Sequence, residues 1–397
     1  MPRTVSLSHF KGLNNRRDIV GGGNGWLRKA DNINIRSNAG IERRDGYTRK
    51  LTGVLSAGYS TRDHARFYII DAGDLKQVHA DFSTVVLRSG LLSTAQVHWT
   101  EVNNEVYFSN GVDSGIISSN GVVSNWAWPV PTTPNLAIVG GNLDAGQYRV
   151  HCTFILPDGR ETGSCAQAAV AELPQGSALQ IIDIPQQAAC KTRVYIAPAD
   201  STVFQLAFET TNTAELWNAP STALGSELVT YGLFPLQSGW GVHQYWRGNM
   251  YVSFFMPQED VSAIFISESF GFHLFNVSEK AVMVPGECVM IAPHNDGLVI
   301  GTKTELYAYT GEQLIKLANY GAVAGRSWVI DDDDNTLYFW TTRGVCKGLP
   351  FENLTEDNVS VPPGVCGGCS IIRTRGDKRF VVSLSGQGVA SNQRFIL

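Results

Sequence analysis

Nowhere in the 397 residues do about eighteen apolar residues run together, so no helical membrane span is expected. The opening Met1-Pro2-Arg3-Thr4 leads into polar sequence without the apolar stretch of a secretory signal, and a product made in the cytoplasm is expected. Cysteine is sparse: seven residues, an odd number without framework spacing, fit a reducing compartment better than a disulfide scaffold. Catalytic signatures are also missing. There is no Gly-x-Ser-x-Gly elbow and no His-Glu-x-x-His, and the eight histidines are scattered without an i, i+4 pair. The Gly21-Gly22-Gly23-Asn24-Gly25 run is followed by no Gly-Lys-Ser/Thr, which excludes a phosphate loop and leaves an ordinary glycine loop. No long Ala/Glu/Lys/Leu stretch occurs, which argues against a helical fold. What is present is 43% hydrophobic residues, 10% aromatics and forty glycines, the composition of an ordered, turn-rich, all-β protein.

One phrase recurs along the chain: an apolar, aromatic-rich strand, a polar or glycine turn, and a second strand. Its clearest copies are Leu298-Val299-Ile300 running into Leu306-Tyr307-Ala308-Tyr309, and Leu337-Tyr338-Phe339-Trp340 running into Gly344-Val345-Cys346. Taking Tyr68, Tyr107, Tyr251, Val299, Tyr338 and Val381 as markers, the intervals are 39, 144, 48, 39 and 43 residues. Four of them match the ~40–50 residues of a four-stranded propeller blade. The fifth is too long by roughly 95 to 105 residues, the size of an inserted sandwich domain. The spacing therefore predicts a roughly six-bladed β-propeller with a passenger between the second and third blades.

The passenger reads as a fibronectin- or immunoglobulin-like β-sandwich, because short alternating strands such as Gly146–Phe154, Ala178–Ile184 and Thr192–Ile196 follow one another at close spacing. The predicted organisation is a docking or strand segment at 1–50, propeller blades at 51–129, the inserted sandwich at 130–238, and further blades at 239–397. Asn110-Gly111 is expected to supply a type I′ hairpin turn after Glu105–Ser109. The strand ending in Phe395-Ile396 is expected to close against N-terminal sequence and so leave no free edge.

Charge divides the chain unevenly. Residues 1–50 carry eleven Lys/Arg against four Asp/Glu, or +7, and the rest carries twenty against thirty-two, or −12. A basic arm on an acidic body can dock on an acidic partner or on phosphates. Within the arm, Ala30–Arg36 alternates as a half-buried strand, and the pairs Arg16-Arg17 and Arg43-Arg44 sit among apolar and turn residues, so they are read as structural or protein-interface residues. Trp126 and Trp128, beside the passenger junction, are read as interdomain or subunit contacts.

The lead, Phe10-Lys11-Gly12-Leu13-Asn14-Asn15 through Ala30-Asp31-Asn32-Ile33-Asn34-Ile35 to Arg43-Arg44-Asp45-Gly46-Tyr47-Thr48, resembles the opening of bacteriophage tail nozzle (tail tubular, head-to-tail connector) proteins of short-tailed phages. The resemblance continues through Ala145-Gly146-Gln147-Tyr148 and Asp158-Gly159-Arg160-Glu161-Thr162 to Ile266–Asn276 and Asn319-Tyr320-Gly321-Ala322-Val323. It implies a virion protein assembled in the host cytoplasm, a propeller that forms a ring, usually hexameric, below the portal and adaptor. That ring contacts other tail proteins and conducts genomic DNA without reading its sequence. An acidic lumen is expected, since each neutralised phosphate would add affinity and hence drag.

The resemblance implies no enzyme, no cofactor and no metal. Cys366-Gly367-Gly368-Cys369 has the spacing of a zinc knuckle or redox pair but no second pair follows, so strand-end cysteines are expected. Asp331-Asp332-Asp333-Asp334-Asn335 lacks the glycine and glutamate of a calcium loop and is read as a solvated turn. Two alternative functions stay open. One is a host-receptor adhesin using the sandwich. The other is a propeller glycosidase, which needs two carboxylates about 5–10 Å apart from Glu101, Glu105, Glu268 or Glu305.

Overall fold

The computed structural model describes residues 10–16, 25–36, 40–46, 48–92, 96–374 and 376–386, with the backbone of 393–396. The fold is all-β: strands carry the regular structure of these residues, apart from one 3-10 turn at Ser221–Ala223. No helix among them is long and apolar enough to cross a membrane.

Six small sheets carry the repeat. The first comprises Leu55–Ser60, Phe67–Asp71, Asp74–Val78 and Thr84–Arg88; the second His98–Val102, Glu105–Ser109, Ser114–Ile117 and Val123–Ser124. The third runs through His243–Trp246, Asn249–Met256, Val261–Glu268 and Gly271–Phe275, with Ala281–Pro285 also pairing on Val261–Glu268. Cys288–His294, Gly297–Thr302, Leu306–Tyr309 and Leu314–Ala318 make the fourth, and Trp328–Ile330, Leu337–Thr341, Gly344–Lys347 and Glu352–Asn353 the fifth. In the sixth, Cys366–Thr374, Asp377–Ser385 and Gln393–Ile396 form a meander to which Ala324–Arg326 adds in parallel. Each of the six sequence markers falls in a different one of these sheets, in the second strand of its meander. The reason is burial: in the second to fifth sheets that strand is largely covered and rich in apolar residues, whereas in the sixth, Asp377–Ser385, only Arg379, Phe380 and Val382 are buried.

First strands of the second, third and fourth sheets lie side by side, His98–Val102 against His243–Trp246 and the latter against Cys288–His294, and Ala324–Arg326 of the sixth sheet also lies against Cys288–His294. Between sheets the packing is apolar. Tyr59, Tyr68, Trp99 and Phe108 fill the first junction; Tyr107, Trp126, Trp240, Phe272 and Phe275 the second. Trp246, Tyr251, Ile300 and Tyr307 follow in the third, Met290, Val299, Leu337 and Phe339 in the fourth, and Trp340, Val345, Phe380 and Val382 in the fifth.

Two further sheets lie between the second and third. Asn135–Leu143, Ser177–Ile182 and Ala214–Trp217 form one; Ala169–Leu173, Gly146–Ile155, Lys191–Ala197 and Gln205–Thr210 form the other. They share a core of their own, with Val150, Cys152, Leu179, Ile181, Val194 and Ile196 essentially inaccessible.

Several sequence expectations are corrected here. The type I′ turn lies at Asn103 and Asn104, with φ of +51° and +63°, joining the cross-strand pair Val102 and Glu105. Asn110 instead heads a longer loop, its Oδ1 accepting the N–H groups of Val112 at 2.9 Å and Asp113 at 2.6 Å, and Gly111 alone takes a positive φ there, +85°. Asn-Gly was read as a backbone signal, whereas this asparagine acts through its side chain.

The lead does not add a strand to the sixth sheet among the described residues. Gly12–Leu13 pairs with Trp26–Leu27 and Ile33–Ile35 with Ile41–Arg43, and Gln393–Ile396 is the outer strand of its sheet. In Ile33–Ile35 it is Asn34 that is buried, with the isoleucines half-buried. Asp331, read as solvated, is fully buried beside Lys378, with Arg373 at 3.9 Å. Two cations of the neighbouring hairpin compensate the cost of enclosing its charge.

Candidate functional site

The lead is held by directed polar bonds. Asn14 Nδ2 donates to Asn358 Oδ1 at 2.9 Å, Asn15 Nδ2 to the Ser360 carbonyl at 2.7 Å, and Ser360 N–H returns to Asn15 Oδ1 at 2.7 Å. Asparagine suits this role because its amide both donates and accepts, so it completes a pairing with a peptide unit as a strand neighbour would. Arg16 belongs to the same latch, its Nε donating to the Val359 carbonyl at 3.3 Å while the side chain stays exposed. Arg43 is exposed and Arg44 half-buried, on a hairpin whose Glu42 lies 3.5 Å from the buried Arg379 of the sixth sheet. Arg17 lies outside the described residues.

The two tryptophans part company. Trp126 is wholly buried; its Nε1 donates to the Phe272 carbonyl at 2.8 Å and its ring meets Tyr107 and His243 edge-on at 5.2 and 4.9 Å. It pins the second sheet to the third and has no surface left for a second chain. Trp128 is half-buried, with Nε1 on the Asn125 carbonyl at 3.2 Å, and keeps reachable ring area.

Where the first strands of the second, third and fourth sheets meet Ala324–Arg326, a cavity of about 20 Å³ is lined by His98, Trp99, His243, Gln244, Met290 and Arg326, among others. That is room for about one water molecule. Thr100 Oγ1 bonds the His243 carbonyl at 3.0 Å beside it. His243 has Nδ1 at 2.9 Å from the Gly241 carbonyl and Nε2 at 3.3 Å from that of Tyr107, and burial lowers its pKa to about 4. Burial, with His243 adding repulsion, lowers His98 to about 3. Both rings are therefore neutral near pH 7. The Arg326 guanidinium sits 4.6 Å from the Tyr59 ring centre and 5.5 Å from that of Trp328. The lining of this cavity is thus neutral except for this one arginine.

The carboxylates considered for glycoside chemistry are each engaged separately. Glu101 accepts from Tyr59 Oη at 3.3 Å and Arg62 N–H at 2.9 Å, and Glu105 from Tyr107 Oη at 3.0 Å. Glu268 pairs with Lys280 at 2.8 Å and Glu305 with Lys316 at 2.5 Å. The two cysteines of the Cys-x-x-Cys motif lie three apart in one strand, hence on opposite faces. Cys366 donates to Gln96 Oε1 at 2.9 Å, and burial pushes the Cys369 thiol well up. Among the described residues, no group of three or more His, Cys, Asp or Glu could hold a metal ion.

The residue that sequence reasoning did not single out is Glu161. Its carboxylate accepts from Thr153 Oγ1 at 2.6 Å, Tyr195 Oη at 2.7 Å and Arg193 Nη1 at 2.7 Å. Its carbonyl accepts His273 Nε2 at 2.9 Å, joining the interposed sheets to the third sheet. The available signal was its place in Asp158-Gly159-Arg160-Glu161-Thr162, a phrase already noted for its resemblance.

No protein-family model and no curated protein matches the chain. Among solved structures, an inactive variant of virginiamycin B lyase from Staphylococcus aureus bound to quinupristin aligns at 11% identity and TM-score 0.34, over 85% of this chain and 94% of that one. A protein of unknown function from Desulfotomaculum acetoxidans aligns at 10% and 0.34, over 78% and 86%. Hsv2 from Kluyveromyces marxianus aligns at 12% and 0.30, over 84% and 89%. Likeness at this level assigns neither an activity nor a family.

Proposed function

We propose that this chain is a six-bladed β-propeller carrying an inserted β-sandwich at 130–238, and that it is a non-enzymatic structural protein of a short-tailed bacteriophage tail. In this reading copies assemble as a ring, six in number, below the portal and adaptor complex, and the genome passes through the ring. The observation that carries the proposal is the use made of the residues on which the resemblance rests. Asn14, Asn15 and Glu161 are the fixtures that tie the lead to the 358–360 loop and brace the insert where it meets the third sheet. Residues of these phrases spent on such fixtures suit a rigid building block better than a pocket with chemistry.

The cavity beside His98 and His243 bears on a specific version of this role. It holds about one water and is too small for nucleic acid, so in this reading the conduit lies between copies and is walled by their lateral faces. The acidic balance outside the lead, −12, supplies a wall that repels phosphate. Exposed apolar side chains on the first sheet, among them Val54, Leu55, Phe82, Val85 and Val86, offer area for lateral contact.

Electron microscopy of the protein mixed with its adaptor complex tests the proposal. A closed ring with an axial channel and an acidic lumen is expected. A monomer that cleaves polysaccharide, or a ring with a strongly basic lumen, would overturn it.

A further inference from the structure

The interposed sheets carry a groove of about 390 Å³ that the ring role does not use, lined by Arg149, Thr202, Val203, Phe204, Glu227 and Tyr231, among others. Its volume falls within the ~300–1,000 Å³ of small-molecule sites. Tyr231 is 60% exposed although its ring stacks on Phe204, with centres 5.7 Å apart and planes 19° from parallel. Behind the pair, His151 meets both rings edge-on at 4.5 and 5.2 Å. His151 is itself buried and fixed, with Nδ1 3.0 Å from Cys165 Sγ. The aromatic surface is therefore rigid before any ligand arrives.

Two charges of opposite sign line the same groove without neutralising each other. Arg149 directs Nε and Nη2 onto Gln147 Oε1 at 2.9 and 2.7 Å, which orients the guanidinium without cancelling its charge. Glu227 is exposed, and among the described residues its carboxylate has no ion pair or hydrogen bond. An anionic ligand would meet Glu227 and a metal cation would meet Arg149. A purely apolar ligand would leave both charges desolvated and unpaired.

We propose that this groove binds a saccharide. A pyranose ring offers an apolar C–H face to the Tyr231 ring, while its hydroxyl groups both donate and accept. Glu227 accepts from one hydroxyl and Arg149 donates to a neighbour, with Val203 and Phe204 forming the apolar wall. The inference goes beyond the ring role, which needs no ligand, and stands or falls separately from it.

The test uses the full chain on an array of immobilised hexose, N-acetylhexosamine and uronic acid oligosaccharides, followed by calorimetry with whichever is retained. Retention is expected, with Tyr231→Ala weakening binding about tenfold while the chain stays folded, and Glu227→Gln, at an exposed side chain, weakening it less with an unchanged thermal midpoint. Retention of no saccharide would overturn the proposal. So would binding that Tyr231→Ala leaves intact.

Discussion

Successive sheets from the first to the sixth meet through buried aromatic and aliphatic clusters, whereas between the sixth sheet and the first no such cluster occurs among the described residues. Arg326 lies over the Tyr59 ring at that seam, and beside it Cys366 Sγ bonds Oε1 of Gln96, on the segment between the first and second sheets, at 2.9 Å. The lead then ties itself to the sixth-sheet side through Asn14, Asn15, Arg16 and Glu42. The two kinds of contact behave differently. Apolar burial is non-directional and grows with area, so a junction tolerates small shifts yet loses heavily when a large side chain is removed. Hydrogen bonds contribute only ~0.5–1.5 kcal/mol each, net of water, but fix position closely. The molecule is strong where sheets stack and specific where its two ends meet.

The largest break of this contrast is Trp340→Ala, which empties the last apolar junction and frees the bond from Nε1 to the Pro363 carbonyl, 2.9 Å long. A loss of about 3–5 kcal/mol is expected, read from urea unfolding; a loss below about 1 kcal/mol would remove the distinction between junctions and seam. Acid comes next. Burial lowers His243, at the second junction, and His151, in the interposed sheets, each to about 4. Their folded-state pKa values lie below the unfolded ~6.5, so in this window the unfolded chain binds more protons and stability falls as pH drops. The expected slope between about pH 6.5 and 4 is up to ~1.4 kcal/mol per pH unit per histidine. His243→Gln should flatten it, and an unchanged slope would place the acid sensitivity elsewhere.

The seam responds more weakly and more locally. Asn15→Ala removes both bonds to Ser360 and is expected to cost about 1–2 kcal/mol, with faster amide exchange at Asn358–Ser360 and little change in the first four junctions. Uniformly faster exchange would mean that the latch holds the whole molecule together. Smallest is Cys366→Ala, expected to cost less than about 1 kcal/mol by thermal unfolding. A larger loss would show that the seam rests on that thiol.

The repeat was legible because burial writes itself locally: Tyr68, Tyr107 and Val299 sit in runs of apolar residues that any window of five reveals. Contacts between distant residues left no such trace. Nothing near Asn15 announces Ser360, 345 residues away, and the acids at 331–334 look solvated until Lys378 and Arg373 are placed beside Asp331. Asn110-Gly111 misled for a related reason, since the dipeptide permits a I′ turn without requiring one, and Asn103-Asn104 took that geometry instead. Arg16 and Trp126 were recognisable as contact residues from type and neighbourhood. That both are engaged within their own chain needed the fold.

The chain leaves the second sheet near Trp126 and returns at Gly239 and Trp240, and both points are secured to the same pair of sheets. Trp126 bonds the Phe272 carbonyl, Gly239 N–H bonds the Gly111 carbonyl at 2.7 Å, and Ser109 Oγ bonds that of Trp240 at 2.9 Å. In polymer terms the hundred or so intervening residues form a loop whose ends the scaffold already holds. Exchanging that loop for one of ten residues changes the closure entropy by only about 2 kcal/mol. The length of this segment therefore costs the scaffold little, and what holds the interposed sheets in place is local contact such as His273 Nε2 on the Glu161 carbonyl.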